Sequence, residues 1–247
     1  MVQARMDEAR RELMTRLQGE GYAVLSGTQA GAALTLELAG LLALRESWER
    51  LPRDAYLRDG GHYRSRRHSC YVFRPASGAL EAVAHRAHWQ PTSYNALHGG
   101  MQRWFEPIEP GVSASPAWRQ LLSCCGELFA RLQAVSRWHI EAHQFRIDTT
   151  GGIGRPTPEG AHRDGVDFVA VILMGRRGVS GGETRVFDVR SSSGVRFTME
   201  EPGSMLLMDD ARVIHETSPI QAQDQQGVRD TLVLTYRAAG FQAPEPA

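Results

Sequence analysis

His162-Arg163-Asp164-Gly165-Val166-Asp167-Phe168-Val169-Ala170-Val171-Ile172-Leu173-Met174 decides the fold. From Phe168 onward the run is apolar throughout, which suits a strand buried on both faces. In an extended chain, side chains at i and i+2 point the same way, so His162 and Asp164 converge while Arg163 points away. His215 lies fifty-one residues beyond Asp164 and completes a set of two imidazoles and one carboxylate if a returning strand brings it alongside. Three such ligands can hold one metal ion and leave coordination positions open for chemistry.

Four further pieces surround these ligands. Ser180-Gly181-Gly182 is a turn signal, and Glu183–Phe187 is expected as the return strand of a hairpin. Pro202–Asp210 gives a turn and a short apolar strand, with Val213-Ile214-His215 resuming after a two-residue break. Arg229–Tyr236 is expected as a last strand, whose alternation places Arg229 and Thr231 on one face.

In this order the pieces resemble the double-stranded β-helix core of Fe(II)/2-oxoglutarate-dependent dioxygenases, over about His143 to Tyr236. Upstream, Gln90-Pro91, Asn95, Gly99-Gly100, Arg103–Pro107 and Pro156–Gly160 resemble the bacterial subfamily of isoleucine 4-hydroxylase-like enzymes acting on free amino acids. The expected fold class is α+β: N-terminal helices bracing a cupin-like jelly-roll barrel. Residues 1–247 are expected as a single dioxygenase domain. Within it, 1–138 would be a mainly helical part with substrate loops, 139–237 the jelly-roll core, and 242–247 a tail.

The resemblance implies Fe(II) on His162, Asp164 and His215, with 2-oxoglutarate and O2 as co-substrates. Succinate and carbon dioxide would be released as an unactivated C–H bond of an amino acid or close derivative is hydroxylated. The far carboxylate of 2-oxoglutarate needs a cation, and a planar guanidinium suits it through two parallel hydrogen bonds. Arg229, fourteen residues after His215, fills that role, with the Thr231 hydroxyl beside it. Gln144 is a further candidate for the co-substrate and Arg146 for a substrate carboxylate, since both share one face of an expected strand His143–Ile147. Glu159 is a candidate partner for a substrate ammonium group.

Other clusters carry less. His139-Ile140-Glu141-Ala142-His143 has the i, i+4 histidines of a zinc-protease helix, but Glu141 stands one place late, so the segment is taken as structural. His62, His68, His85, His88 and His98 lack paired ligand spacing and default to surface or supporting positions. The basic run Arg58–Arg67, with Arg64, Arg66 and Arg67 around Tyr63, either binds a carboxylate at the mouth of the site or forms a solvated strand face. Charge runs favour the solvated face. Tyr63 and Asn95 are expected in loops that form the pocket floor.

With 28 basic and 28 acidic residues there is no electrostatic footprint for nucleic acid. No apolar signal stretch or membrane span is found. Cys70, Cys124 and Cys125 do not suggest a disulfide framework, and the cytoplasm is the expected location. Helices are expected over the N-terminal residues to Leu17, over Ala30–Leu44, and from Pro116, where Trp118, Leu121, Leu122, Cys125, Leu128, Phe129, Leu132 and Val135 form an apolar stripe. From Gln242 on, a frayed tail is expected. Two other functional classes remain open: a Zn or Mn barrel enzyme performing hydrolysis or isomerisation, and a non-catalytic jelly-roll binding protein.

Overall fold

The computed structural model describes residues 2–191 and 193–244. The chain runs α1 (Val2–Glu20), β1 (Tyr22–Leu25), α2 (Gly27–Leu34), α3 (Leu38–Ala43), a 3₁₀ helix (Leu44–Arg50), β2 (Arg64–Arg74), β3 (Ala79–Ala82), α4 (Pro110–Ser113) and α5 (Pro116–Leu132). It continues through β4 (Trp138–Asp148), β5 (Phe168–Arg177), β6 (Val179–Gly181), β7 (Thr184–Asp188), β8 (Gly194–Phe197), β9 (Met205–Asp209), β10 (Val213–Thr217), β11 (Ile220–Ala222) and β12 (Val228–Arg237).

A seven-stranded antiparallel sheet in the order β1-β9-β5-β12-β4-β2-β3 forms one wall. The three-stranded β10-β7-β8 and the two-stranded β11-β6 form the other. This is the jelly-roll architecture, with helices added on the outside of the large sheet. The period-2 alternation of strand side chains divides that sheet cleanly. On β12, Leu232, Leu234 and Tyr236 pack outward into the main core with Trp118, Leu121, Phe129 and Trp138, while Arg229, Thr231, Val233 and Thr235 face inward. A second core between the sheets joins Val169, Leu173, Leu206 and Met208 to Val186 and Val213. Cutting a buried leucine such as Leu234 to alanine in such a core costs about 2–5 kcal/mol.

Several local expectations change. Residues 1–138 are less helical than their composition suggested, because β1, β2 and β3 all belong to the large sheet. The single helix expected over Ala30–Leu44 is broken: Ser26 and Gln29 form a capping box that starts α2, and Thr35, at φ 56°, ends it. β7 is not the hairpin partner of β5. It pairs with β10 and β8, and the intervening Gly181-Gly182 marks the crossing from one sheet to the other. Both glycines have positive φ, and a Cβ on Gly181 would sit 2.2 Å from the Pro219 carbonyl oxygen, so the crossing requires glycine.

The C-terminal segment is anchored at Gln242, which is 9% exposed and donates to the carbonyls of Asp164 and Gly165 at 3.1 and 2.8 Å. The fraying expected from Gln242 therefore does not start there, and residues 245–247 of the expected tail lie outside the described residues.

Candidate metal centre

His162 and His215 meet through a pair of backbone hydrogen bonds, each N–H donating to the other carbonyl at 3.0 Å. Their rings lie 4.6 Å apart. His162 Nδ1 donates to the Gly160 carbonyl at 2.9 Å, which leaves the Nε2 lone pair free. Nε2 stands 3.8 Å from Asp164 Oδ1, and His215 Nε2 stands 3.9 Å from Asp164 Oδ2. One donor atom from each residue lies within 4.8 Å of the other two. Adjacent donors on an octahedral ion are about 3 Å apart for bonds near 2.1 Å, so small side-chain rotations close the set on an ion. Two imidazoles and a carboxylate on one face therefore fit Fe(II).

Supports from distant parts of the chain hold the loop that carries Asp164. Asp210 is 1% exposed and accepts the backbone N–H groups of Asp164, Gly165 and Val166 at 2.9, 2.8 and 3.1 Å. Burial, and then the Asp164 carboxylate, push Asp210 up to about 7 against those three donors. Gln90 Nε2 donates to Asp164 Oδ1 at 3.3 Å, while Gln90 Oε1 accepts from Asn95 and Arg103. None of Asp210, Gln90 and Gln242 was expected to support Asp164. Their contacts are long-range, and no local pattern announces them.

The ligands open into a cavity of about 130 Å³ between the sheets. Arg229, 4% exposed, lines it beside Thr231. Its Nε is buried without a partner, and no carboxylate pairs with it among the described residues. Burial and the nearby Arg176 push its guanidinium down to about 10, which leaves it charged at neutral pH. Glu159 also lines the cavity, but its Oε1 is turned to His162 Nε2 at 3.5 Å and its Oε2 is buried without a hydrogen-bond partner.

Gln144 and Arg146 lie on the opposite face of β4. Gln144 Nε2 donates to the Ser47 hydroxyl at 2.9 Å, and Arg146 pairs with Asp230 and Glu49, so neither reaches the cavity. The inward residues of β4 are Glu141, His143, Phe145 and Ile147. The 3₁₀ helix covers this part of the outer face instead of solvent, which is why Gln144 is fully buried and Arg146 only partly exposed. The basic run is corrected in the same way: Arg64 and Arg66 are buried and line the cavity. Asp54 neutralises Arg64 at 2.7 Å, and the Arg66 guanidinium is stacked between Phe105 and Phe145, 3.8 and 4.3 Å from their ring centres.

A second cluster was missed. His68, His88, Glu141 and His143 converge on the inner face, all buried. His68 Nε2 and His88 Nδ1 both donate to Glu141 Oε2, at 2.8 and 2.6 Å. Its only trace in the sequence is an i, i+2 repeat of polar residues on two separate strands: Arg64, Arg66 and His68, then His139, Glu141 and His143.

The fold and site define a jelly-roll protein with a candidate mononuclear metal centre at His162, Asp164 and His215. The family model described as 2OG-Fe dioxygenase matches residues 45–235, more than half the chain, and the protein belongs to that family. Its reaction uses Fe(II), 2-oxoglutarate and O2, the metal coupling oxidation of the keto acid to activation of dioxygen. Among solved structures, a bsmA homolog from Methylobium petroleophilum PM1 is 55% identical, with a TM-score of 0.91 and 95% of each chain covered. IDO from Bacillus thuringiensis shares the fold at 18% identity, TM-score 0.76, covering 95% of this chain and 100% of that one. The Fe(II)/(alpha)ketoglutarate-dependent dioxygenase TqaL does so at 18% identity and TM-score 0.72, over 99% of this chain and 91% of that one. No curated protein matches. Among the described residues, no helix is long and apolar enough to cross a membrane.

Proposed function

We propose that this dioxygenase hydroxylates an unactivated C–H bond of a free L-amino acid or a close derivative. The observation that carries the reading is the charge balance of the cavity. Four buried arginines, Arg64, Arg66, Arg103 and Arg229, stand with four carboxylates, Asp54, Glu141, Glu159 and Asp164. A ferrous ion and a doubly ionised keto acid cancel one another. Electrostatics therefore favours a third occupant with no net charge, because an unpaired ion in a buried site is expensive. Separate cationic and anionic groups on the wall favour a zwitterion over an uncharged molecule.

In this reading His162, Asp164 and His215 hold the metal. Arg229 offers its guanidinium to the far carboxylate of 2-oxoglutarate, and Thr231 adds a hydroxyl on the same strand face. Val166, Val171 and Val233 line the cavity and help to exclude water. The free thiols Cys70, Cys124 and Cys125 fit a reducing, cytoplasmic setting. A hydrolytic Zn or Mn centre is disfavoured by the unpaired Arg229 and the family match, and a non-catalytic role by the convergence of all three donors.

The test is a succinate-release screen of the Fe(II)-loaded protein with 2-oxoglutarate against the free L-amino acids and their N-acetyl forms, with mass detection of one added oxygen atom. Coupled succinate and hydroxylated product from a free amino acid is the expected result. Absence of stimulation by every compound would remove the amino-acid reading and leave the family assignment untouched.

A further inference from the structure

We infer that Glu141 is the receptor for the substrate's cationic nitrogen, with His68 and His88 holding its carboxylate in place at one end of the cavity. The inference rests on the amino-acid reading above and gives its head group a location. Glu141 Oε2 is occupied by the two histidine N–H donors. Oε1 makes no hydrogen bond among the described residues, and Glu141 lines the cavity. Burial alone would raise this carboxyl, but His88 and His68 hold it well below the usual carboxylate range. Burial keeps the imidazoles of His68, His88 and His143 neutral. The cluster therefore presents an ionised carboxylate with one oxygen committed and the other open.

A metal ion in this cluster is the competing occupant, and proton placement argues against it. Arg66 Nη2 lies 2.7 Å from His143 Nδ1. Arginine can only donate, so the neutral ring carries its proton on Nε2, the nitrogen that points toward Glu141 Oε2 at 3.8 Å. Turning that nitrogen into a metal donor would move the proton to Nδ1 and set it against the arginine N–H. It would also place a divalent ion next to the Arg66 guanidinium. Two N–H groups bonded to one carboxylate oxygen, with a third directed at it from 3.8 Å, form a receptor that needs no ion to satisfy it.

Glu159 serves this purpose less well, since its Oε1 faces His162 Nε2 at 3.5 Å and its Oε2, though without a hydrogen-bond partner, is not exposed to the cavity. A cationic partner for the carboxylate of the same head group is at hand in Arg103, also on the cavity wall. Arg103 commits Nη2 to Gln90 at 2.9 Å, and its Nη1 makes no hydrogen bond among the described residues.

The experiment measures binding of the free L-amino acids to the anaerobic Fe(II)/2-oxoglutarate protein by calorimetry, and then compares wild type with Glu141→Gln. For the best amino acid, E141Q is expected to weaken binding about thirtyfold or more, as removal of one partner of a buried charged hydrogen bond does. Its N-acetyl form, which lacks the ammonium, should bind both proteins alike. The visible band of the Fe(II)/2-oxoglutarate chelate should be unchanged, which confirms that the variant is folded and loaded. Glu141→Asp should recover part of the affinity.

Equal amino-acid affinity in wild type and E141Q overturns the inference alone. So does a loss seen with Glu159→Gln and absent from E141Q. A second equivalent of Zn(II) bound by wild type and lost in E141Q overturns it in favour of a metal site. If wild type binds no amino acid, the substrate reading falls and this inference falls with it.

Discussion

Asp210 accepts the backbone N–H of Asp164 at 2.9 Å and, through its other oxygen, those of Gly165 and Val166. One buried carboxylate thus fixes the loop that aims the metal-binding carboxylate. Asp210→Ala is expected to lower Fe(II) affinity about 10- to 100-fold, the usual effect of removing a group that orients a ligand. Asp210→Asn, which retains one acceptor oxygen, should fall between. Competition against a chelating dye measures both, and wild-type affinity in the alanine variant would refute the role.

Arg229 is a buried cation that pairs with no carboxylate among the described residues. Replacing it with methionine should raise the apparent 2-oxoglutarate requirement by about thirtyfold or more and leave iron binding largely intact. The same variant should be at least as heat-stable as wild type when no keto acid is present, because it removes an uncompensated buried charge. Thermal melts with and without 2-oxoglutarate read both effects, and an unchanged co-substrate dependence would sink the assignment.

Gly182 sits at φ +71°, and a Cβ there would lie 2.9 Å from Arg176 Nη1 and 3.6 Å from Arg229 Cδ. Gly182→Ala should destabilise the fold by about 1–2 kcal/mol through left-handed backbone strain. It should also displace Arg176, so weaker 2-oxoglutarate binding is expected alongside the lower melting temperature. Denaturant titration and co-substrate affinity, measured on the same sample, test the pair.

The histidine–glutamate cluster predicts acid sensitivity. Burial pushes His88 down to about 3 and lowers His68 and His143 as well, and Glu141 is held low. All four groups bind protons more readily in the unfolded chain. Their stabilisation is therefore complete above the ordinary histidine pKa near 6.5 and drains as pH falls toward 3, by roughly 1.4 kcal/mol per pH unit for each histidine while it stays neutral in the fold. Calorimetry between pH 8 and pH 5 should show the melting temperature dropping below about pH 6.5, less steeply in His88→Gln. A flat profile would contradict the buried neutral state.

The metal ligands could be found from sequence because strand geometry is local: His162 and Asp164 need only an extended chain, and an ordered set of turns and strands leads to His215. The shared inward face of Arg229 and Thr231 followed from the same alternation. Gln144 and Arg146 did not, because the expected strand His143–Ile147 is too short to show its phase; in the longer β4 the same face begins with Trp138, Ile140 and Ala142, which join the outer core. Beyond them, Ser47 and Trp48, almost a hundred residues earlier, cover that face with a 3₁₀ helix; Trp48 Nε1 donates to the carbonyls of Phe145 and Thr231. The histidine cluster was invisible for a related reason. Its members come from β2, β4 and the segment around His88, and only the pairing of β2 with β4 brings them together.

The grip of Gln242 on the Asp164 loop has a consequence for biosynthesis. Gln90, Asp164, Asp210, His215 and Gln242 enter the growing chain far apart, and Gln242 emerges after all the others. A ribosome-bound fragment can fold its early helices, yet it lacks the latch that completes the iron-binding loop. The loop that carries Asp164 thus gains its last support only after both sheets have been synthesised.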